Sequence, residues 1–572
     1  MSISVFKTEI AKSVLEAIGR NMQTELSVAD VCDMLEYPPD PGMGDLALPC
    51  FKLSRSLKKA PPVIAKEIAD NMTELPLLER TDVAGGYLNF YFAESFFTGE
   101  QIKEVLNEGE KYGRGHEGDG KTVVLDYSSP NVAKPFHIGH LGTTVIGHSL
   151  KKLHEFVGYS CVGVNHLGDW GTQFGKLIVA FRSWGSKDDV EKRGIDELVE
   201  LYVRFHREAE ENPALEDEAR AEFTKLEAGN EENLKLWKWF IDISIREYKK
   251  TYAQLGIEFD SYAGESFYYD KVAPVTEQLK NAGITKIDDG ATIVDLEKYK
   301  MPPCLILKSD GSTLYAVRDI AAALYRKKTY NFEKCIYVTS AGQCLHFAQW
   351  FKIVELMGYD WADKLFHVPY GTVSIDGAKL ATRTGNVILL KDLFAQASEK
   401  VLSIINEKNP DLPDKEKTAE AVGVGAIVFH YLSNNRIKDI NFRLDDVLRF
   451  DGNTGPYCQY TYARCCSILE KANGYSADID VKSCTSEEFA LAKTLSKFNE
   501  AVESALKSYE PMLITRYILD VCTDFNRFYH ECQILSADDD NVRNYRVALT
   551  AAVAQVLKSA FGLICMKSPE KI

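Results

Sequence analysis

Apolar residues recur at helical spacing through the opening "MSISVFKTEIAKSVLEAIGR", and with a period of two in the aromatic run "GGYLNFYFA" that begins at Gly85. The first predicts an amphipathic helix and the second a strand, since apolar side chains line one face about every 3.6 residues in a helix and every second residue in a strand. The Pro/Gly-rich "YPPDPGMGD" between them reads as a turn. Farther along, β-branched runs at 122–127 ("TVVLDY"), 161–167 ("CVGVNHL") and 334–340 ("KCIYVTS") alternate with helical patterns. That rhythm predicts an α/β unit with a parallel sheet. A highly charged, helix-prone excursion interrupts it at about 187–255, and after about Lys391 the pattern stays helical to the end. The polar, glycine-rich "GEKYGRGHEGDG" reads as a linker. Three blocks are therefore expected, at 1–118, 119–394 and 395–572, without internal repeats.

Composition sharpens this picture. At 572 residues, 45% hydrophobic, the chain is too long for one core. Glu9 and Glu16 break the apolar spacing of the first helix, which lacks the core and cleavage site of a secretory signal. The longest apolar run, "AVGVGAIVF" at 421–429, is about half the length of a bilayer span. The expected location is the cytoplasm, with no membrane association. None of the 13 cysteines forms a CxxC pair, which argues against a zinc site, and an odd number suits reduced thiols. A net charge of −16 opposes nucleic-acid binding over the surface as a whole, but binding faces are local. The segment "KLSRSLKKAPPVIAKEIA", with Arg55, Lys58 and Lys59, reads either as a phosphate-binding patch or as a solvated helix face.

The densest candidate chemistry is "SSPNVAKPFHIGHLG", Ser128 to Gly142. With 122–127 as a strand, "SSPN" is the loop at its carboxyl edge and a helix is expected from near Phe136, its amino end facing the crevice where doubly wound sheets bind ligands. Free N–H groups and the dipole attract phosphate there. His137 and His140, one turn apart, supply donors, Gly139 lets a flat base approach the backbone, and Lys134 adds a mobile charge. In the helical block, "GPYCQYTYARCCSIL" combines Tyr457, Tyr460, Tyr462 and Arg464, either a stacking surface for an RNA loop or a tyrosine-rich core seam.

Together with "VNHLGDWGTQFGKLI", "FDSYAGESFY", "SDGSTLYAVRDIAAALYR", "AGQCLHFAQW", "GAKLATRTGNVILL" and "FDGNTGPYCQYTYARCCSIL", these segments resemble arginyl-tRNA synthetases, in the same order and over nearly the whole chain. "HIGH" is shared by all class I aminoacyl-tRNA synthetases and some nucleotidyltransferases; "NHLGDWGTQFG" and "DGNTGPYCQY" are far more specific. The resemblance implies a Rossmann-like class I catalytic domain at 119–394 with the helical insertion at about 187–255. It also implies an α+β N-terminal additional domain that touches the outer corner of tRNA, and an all-helical anticodon-binding domain from 395. The implied enzyme is a monomeric arginine–tRNA ligase using ATP, Mg²⁺, L-arginine and tRNA(Arg), without protein-bound zinc, and requiring bound tRNA before the adenylate forms.

By the same resemblance His137, His140, Lys134, Lys379 and Arg383 are catalytic, and ATP meets His137, Gly139, His140 and Lys379. The loop corresponding to "KMSKS" reads Lys379-Leu380-Ala381-Thr382-Arg383, so Met, Ser and the second Lys are replaced, and Lys134 stands in for that Lys. Ser129, Pro130, Asn131, His140 and Gln343 hold the backbone end of the amino acid. A guanidinium is planar and always charged, best held by forked carboxylates with an aromatic face; Glu265, Tyr315 and Asp319 are implied in that role. Tyr315 and Asp319, four apart, share a helix face, which otherwise reads as an exposed surface with Arg318 beside Asp319. For tRNA the implied contacts are Arg55, Lys58, Lys59, Tyr457, Gln459, Tyr460 and Arg464. A small-metabolite nucleotidyltransferase would have no need of the flanking blocks, and a nonenzymatic RNA-binding paralogue would have lost the catalytic groups. The cysteinyl enzyme, nearest by tail type, holds its substrate with a cysteine-rich zinc cluster that this chain lacks.

Overall fold

The computed structural model describes residues 3–21, 25–375, 378–379, 388–476 and 478–572. The opening helix runs Ile3–Asn21 and packs over an antiparallel sheet of β1 (Leu46–Pro49), β2 (Leu78–Ala84) and β3 (Tyr87–Phe92), in the order β1-β3-β2. The period-two aromatic run is indeed a strand. Its core, built on Phe6, Ile10, Leu48, Phe90 and Phe92, also takes in Phe489 and Ala492 from the distant helix Ser486–Ser496.

The α/β unit contains a four-stranded parallel sheet. β4 (Thr122–Asp126) and β5 (Ser160–Val164) come first. A small antiparallel sheet of β6 (Thr285–Asp288), β7 (Ala291–Val294) and β8 (Cys304–Leu307) follows. Then come β9 (Lys334–Ser340) and β10 (Leu365–Tyr370), and the parallel order is β10-β9-β4-β5. The centres of the two central strands, 123–126 and 335–338, are buried while the two edge strands are only partly so, so the continuous apolar runs mark strands covered on both faces. Because the chain leaves β4 toward β5 and returns through β9 on the other side, a crevice opens beyond the carboxyl ends of β4 and β9.

The charged excursion folds as helices from Lys187 to Leu255, ending in the long helix Glu231–Leu255. From Leu390 on the described chain is helical apart from the short strand Ile440–Phe442. The helix Asp540–Leu563 is apolar and long enough to cross a bilayer, but 67% of its apolar window is buried in the fold. One hydrophobic core runs without a break from β4 into this helical block. The crossover helix Leu141–Phe156 meets the helix Lys415–Leu432 so closely that a Cβ on Gly142 would lie 2.2 Å from the Tyr431 hydroxyl.

Candidate active site and RNA-binding face

The turn after β4 is held in a strained form. Ser128, Ser129 and Ala133 all adopt left-handed backbone, with φ of 70°, 45° and 57°, a conformation costing non-glycine residues of order 1–3 kcal/mol each. A dense hydrogen-bond network offsets that cost. Ser129 Oγ donates to Asp126 Oδ1 at 2.9 Å, and the Ser129 N–H donates to Asn165 Oδ1 at 3.2 Å. Ser128 Oγ lies 2.7 Å from the Tyr252 hydroxyl, to which Asn165 Nδ2 also donates. The Ala133 N–H donates to Ser244 Oγ, and the single proton of the Tyr248 hydroxyl is shared between the carbonyls of Asn131 at 2.8 Å and Lys134 at 2.9 Å. The insertion's last helix is thus the buttress of the turn. Gly168 lies against it, where a Cβ would come 2.1 Å from Asn131 Oδ1.

The helix begins later than the sequence suggests. His137 is extended and bridges Leu389, the Leu390 N–H donating to the Phe136 carbonyl and the Ile138 N–H to that of Ile388; a 3-10 turn, Ile138–His140, leads into the helix Leu141–Phe156. The expected phosphate donors also change. The Gly139 N–H donates to His137 Nδ1 at 3.0 Å, the His137 N–H to His140 Nδ1 at 3.2 Å, and the His140 N–H to the His137 carbonyl. The backbone donors of this turn are therefore occupied. In exchange, both Nδ1 atoms are acceptors, so each neutral imidazole carries its proton on Nε2. The rings sit 4.1 Å apart, and Phe136 stacks on His140. Burial, with the neighbouring His137 and Lys134, pushes His140 down to about 3, and burial lowers His137 as well. At neutral pH this is a pair of uncharged donors.

Glu265 opens the turn that follows Gly264, its N–H bonded to the Leu167 carbonyl beside the strained loop. A Cβ on Gly264 would fall 2.6 Å from Asp169, whose carboxylate accepts from both the N–H and the hydroxyl of Ser266. Burial raises Glu265, His166 and Arg318 oppose that rise, and Asp169 and then Asp319 add to it. Arg318 does not pair with its neighbour Asp319: its Nη1 lies 3.3 Å from Glu265 Oε2, while Asp319 Oδ2 is 2.6 Å from His346 Nε2. Tyr315, at the start of the helix Tyr315–Tyr330, is 66% exposed at the rim. Gln343 is exposed just after β9, Pro130 is buried, and Asn131 is exposed. The backbone of Lys379 pairs with Ser374; Arg383 lies outside the described residues.

Sequence reasoning missed Arg326. It is fully buried, its Nη2 2.7 Å from Asp126 Oδ2, so it anchors the carboxylate that holds Ser129. A signal existed: positions 315, 319, 322 and 326 form one helical stripe. Ser244, Tyr248 and Tyr252 were hidden in the helical excursion, whose sequence says nothing of what it packs against.

On the helical block, Tyr460 is exposed and Tyr457 half-buried, and the Arg464 guanidinium lies 5.2 Å from the Tyr460 ring and 4.8 Å from that of Tyr529. Asn526 accepts from Arg464 and donates to the Tyr457 hydroxyl. Tyr529 and Asn526 come from the helix Met512–Glu531, too far away in sequence to be foreseen. Tyr462 belongs to the core. Gln459 requires a correction: it is fully buried, its amide donating to the carbonyls of Ala421 and Lys567, so it offers RNA no surface. Gln459→Ala is expected to lower the melting temperature, having removed one buried and one part-buried hydrogen bond, the buried one at about 1–3 kcal/mol, while the KM for tRNA stays unchanged. On the N-terminal block Arg55 and Lys58 are exposed, whereas Lys59 is already paired with Glu67 at 2.7 Å.

A parallel sheet whose first crossover helix opens on two coupled histidines, joined to a helical domain, is the architecture of class I aminoacyl-tRNA synthetases. Residues 101–444 match the family described as "tRNA synthetases class I (R), catalytic domain". Residues 5–92 match the arginyl tRNA synthetase N terminal domain, and residues 458–572 the DALR anticodon binding domain. The arginine–tRNA ligase of Alkaliphilus metalliredigens is 49% identical over 99% of this chain and 100% of its own length, and that of Halothermothrix orenii is likewise 49% identical over 99% and 100%. Among solved structures, the arginyl-tRNA synthetase of Thermus thermophilus superposes with a TM-score of 0.81 at 24% identity, covering 99% of this chain and 100% of that one. The chain belongs to the arginyl-tRNA synthetase family, the ligases that join arginine to tRNA.

Proposed function

We propose that the crevice beyond β4 and β9 carries out this family's reaction, ATP-dependent activation of L-arginine and its transfer to tRNA(Arg), with the following division of labour. The arginine carboxylate attacks the α-phosphate of ATP, and pyrophosphate leaves. The protein orients the reactants and neutralises developing charge. His137 and His140 donate their Nε2 protons to phosphate oxygens. Lys134, Lys379 and Arg383 supply positive charge around the leaving group, and Gly139 lets the nucleotide lie close to the backbone. Ser129, Pro130, Asn131, His140 and Gln343 meet the α-amino and carboxylate end. Glu265 and Asp319 grip the guanidinium, with Tyr315 as the aromatic face at the rim.

The observation that carries this reading is geometric: Arg318 and Asp319 are neighbours on one helix, and Arg318 Nη1, 3.3 Å from Glu265 Oε2, links Glu265 to Asp319 around that helix start, next to the Leu167 carbonyl that holds the Glu265 N–H. Among the described residues no cluster of three or more His, Cys, Asp or Glu is arranged to hold a metal. In this reading Mg²⁺ arrives on the triphosphate. The face of Tyr457, Tyr460, Arg464, Asn526 and Tyr529 binds the anticodon loop, and Arg55 and Lys58 reach the tRNA corner. The blocks 1–118, 119–394 and 395–572 act as the corner-binding, catalytic and anticodon-binding units of a cytoplasmic monomer.

The test is ATP–pyrophosphate exchange with each amino acid in turn, with and without tRNA. Arginine alone should drive exchange, and only with tRNA present; exchange supported by another amino acid and not by arginine defeats the specificity assignment. Tyr460→Ala is expected to raise the KM for tRNA roughly 10-fold by removing a base-stacking surface worth about 1–3 kcal/mol, leaving the KM values for arginine and ATP as they were in steady-state charging assays.

A further inference from the structure

Glu265 and Asp319 are each held by one carboxylate oxygen only. Glu265 Oε2 meets Arg318 Nη1 at 3.3 Å and Asp319 Oδ2 meets His346 Nε2 at 2.6 Å, whereas Oε1 and Oδ1 have no hydrogen-bond partner among the described residues. All four side chains are 21–30% exposed, so the two pairs line the cleft and a ligand reaches the remaining oxygens.

The local fold makes both contacts from one helix. Arg318 and Asp319 are adjacent on Tyr315–Tyr330 and project in different directions, one to the turn that starts at Glu265, the other to the first turn of the helix Cys344–Leu356. The His346 ring is set edge-on against Phe347, at 5.5 Å and 80°. Phe347 in turn stacks on His367 at 4.3 Å, and His367 Nε2 is 2.9 Å from Thr339 Oγ1 on β9. The imidazole that meets Asp319 is thereby referred to the central sheet rather than to a loop.

We propose that His346 and Arg318 are positioning residues for guanidinium recognition, each fixing one oxygen of an acceptor carboxylate so that the other is presented to the substrate at a set spacing; this rests on the assignment of Glu265 and Asp319 above. A guanidinium donates through a rigid planar fork, so two freely rotating carboxylates bind it less well than two already oriented ones. The competing role for Arg318 is that of an internal stand-in for the substrate, expelled when arginine enters. The two roles predict opposite signs.

The experiment is exchange kinetics with full-length His346→Ala, His346→Gln, Arg318→Ala, Arg318→Lys and Asp319→Ala, each checked for an unchanged melting transition. His346→Ala and Arg318→Ala should each raise the KM for arginine roughly 10-fold or more, with kcat and the KM for ATP nearly constant. His346→Gln and Arg318→Lys, which keep a donor, should recover much of the loss. Adding His346→Ala to Asp319→Ala should cost nothing further, since the imidazole acts only through that carboxylate. An unchanged arginine KM in His346→Ala and Arg318→Ala overturns the proposal, as does a lower one in Arg318→Ala, the mark of a stand-in. Should Asp319→Ala itself leave the arginine KM untouched, the acidic socket is wrongly assigned and falls first.

Discussion

Asp319→Ala raises the KM for arginine by about 100-fold or more, with kcat at saturating arginine and the KM for ATP much less affected. Truncating one partner of a desolvated charge pair costs about 2–5 kcal/mol, because the remaining charge is left without its counterion, and each ~1.4 kcal/mol is a factor of ten. The substrate guanidinium cannot relieve this by losing its proton. Glu265 remains, but it already faces Arg318, so the substrate would meet one shared carboxylate where it had met two. Arginine titrations of ATP–pyrophosphate exchange, with tRNA present throughout, read the effect directly. A variant that charges tRNA at wild-type efficiency at limiting arginine would remove Asp319 from the socket.

His140→Ala is expected to act on the other axis. The two imidazoles are fixed donors, aimed by backbone N–H groups that hold each Nδ1, and removing one preorganised donor of this kind costs about 10²–10³ in kcat. The KM for arginine should move much less. Since His140 is pushed down to about 3 by burial and by its neighbours, it stays neutral above that pH and is not charged by mild acid. Between about pH 5 and 8 the exchange rate should therefore show no limb from its titration. A rate that climbs as pH falls through the ordinary histidine range would mean that an imidazolium is the active form, contrary to the tautomers read from the hydrogen bonds. Single-turnover measurements of adenylate formation would separate chemistry from product release.

The sheet was legible because a parallel strand covered on both faces has a continuous apolar centre: "VVL" at 123–125 and "CIYV" at 335–338 show that pattern, and both lie in central strands. The helical excursion was legible from its charge and spacing. Less visible was everything that depends on long-range partners. The helix start moved from Phe136 to Leu141, after a 3-10 turn, because the backbone around Phe136 pairs with Ile388 and Leu390, more than two hundred residues away. Gln459 sits among tyrosines and an arginine in sequence, yet the helix turns it inward, and no local property of glutamine reveals which side of a helix is covered. The stripe from Tyr315 to Arg326 displayed its acidic and aromatic members, while the arginine at its end, which supports the strained turn from below, looked like an ordinary helix terminus. Electrostatic neighbours are likewise invisible in one dimension: Arg318 ignores the aspartate beside it and reaches a glutamate fifty-three positions away.

The first and last thirds of the chain interlock. Lys7 and Tyr37 both contact Glu500, Asp45 contacts Lys493, and Phe97 sits edge-on against Phe489. An amino-terminal deletion would expose the apolar seat of Phe489 and Ala492 and make the remainder prone to clump. In the proposed reading both ends hold RNA, and joined by these contacts they act as a caliper, so a transcript with the right loops at the wrong separation would fit one jaw or the other and not both.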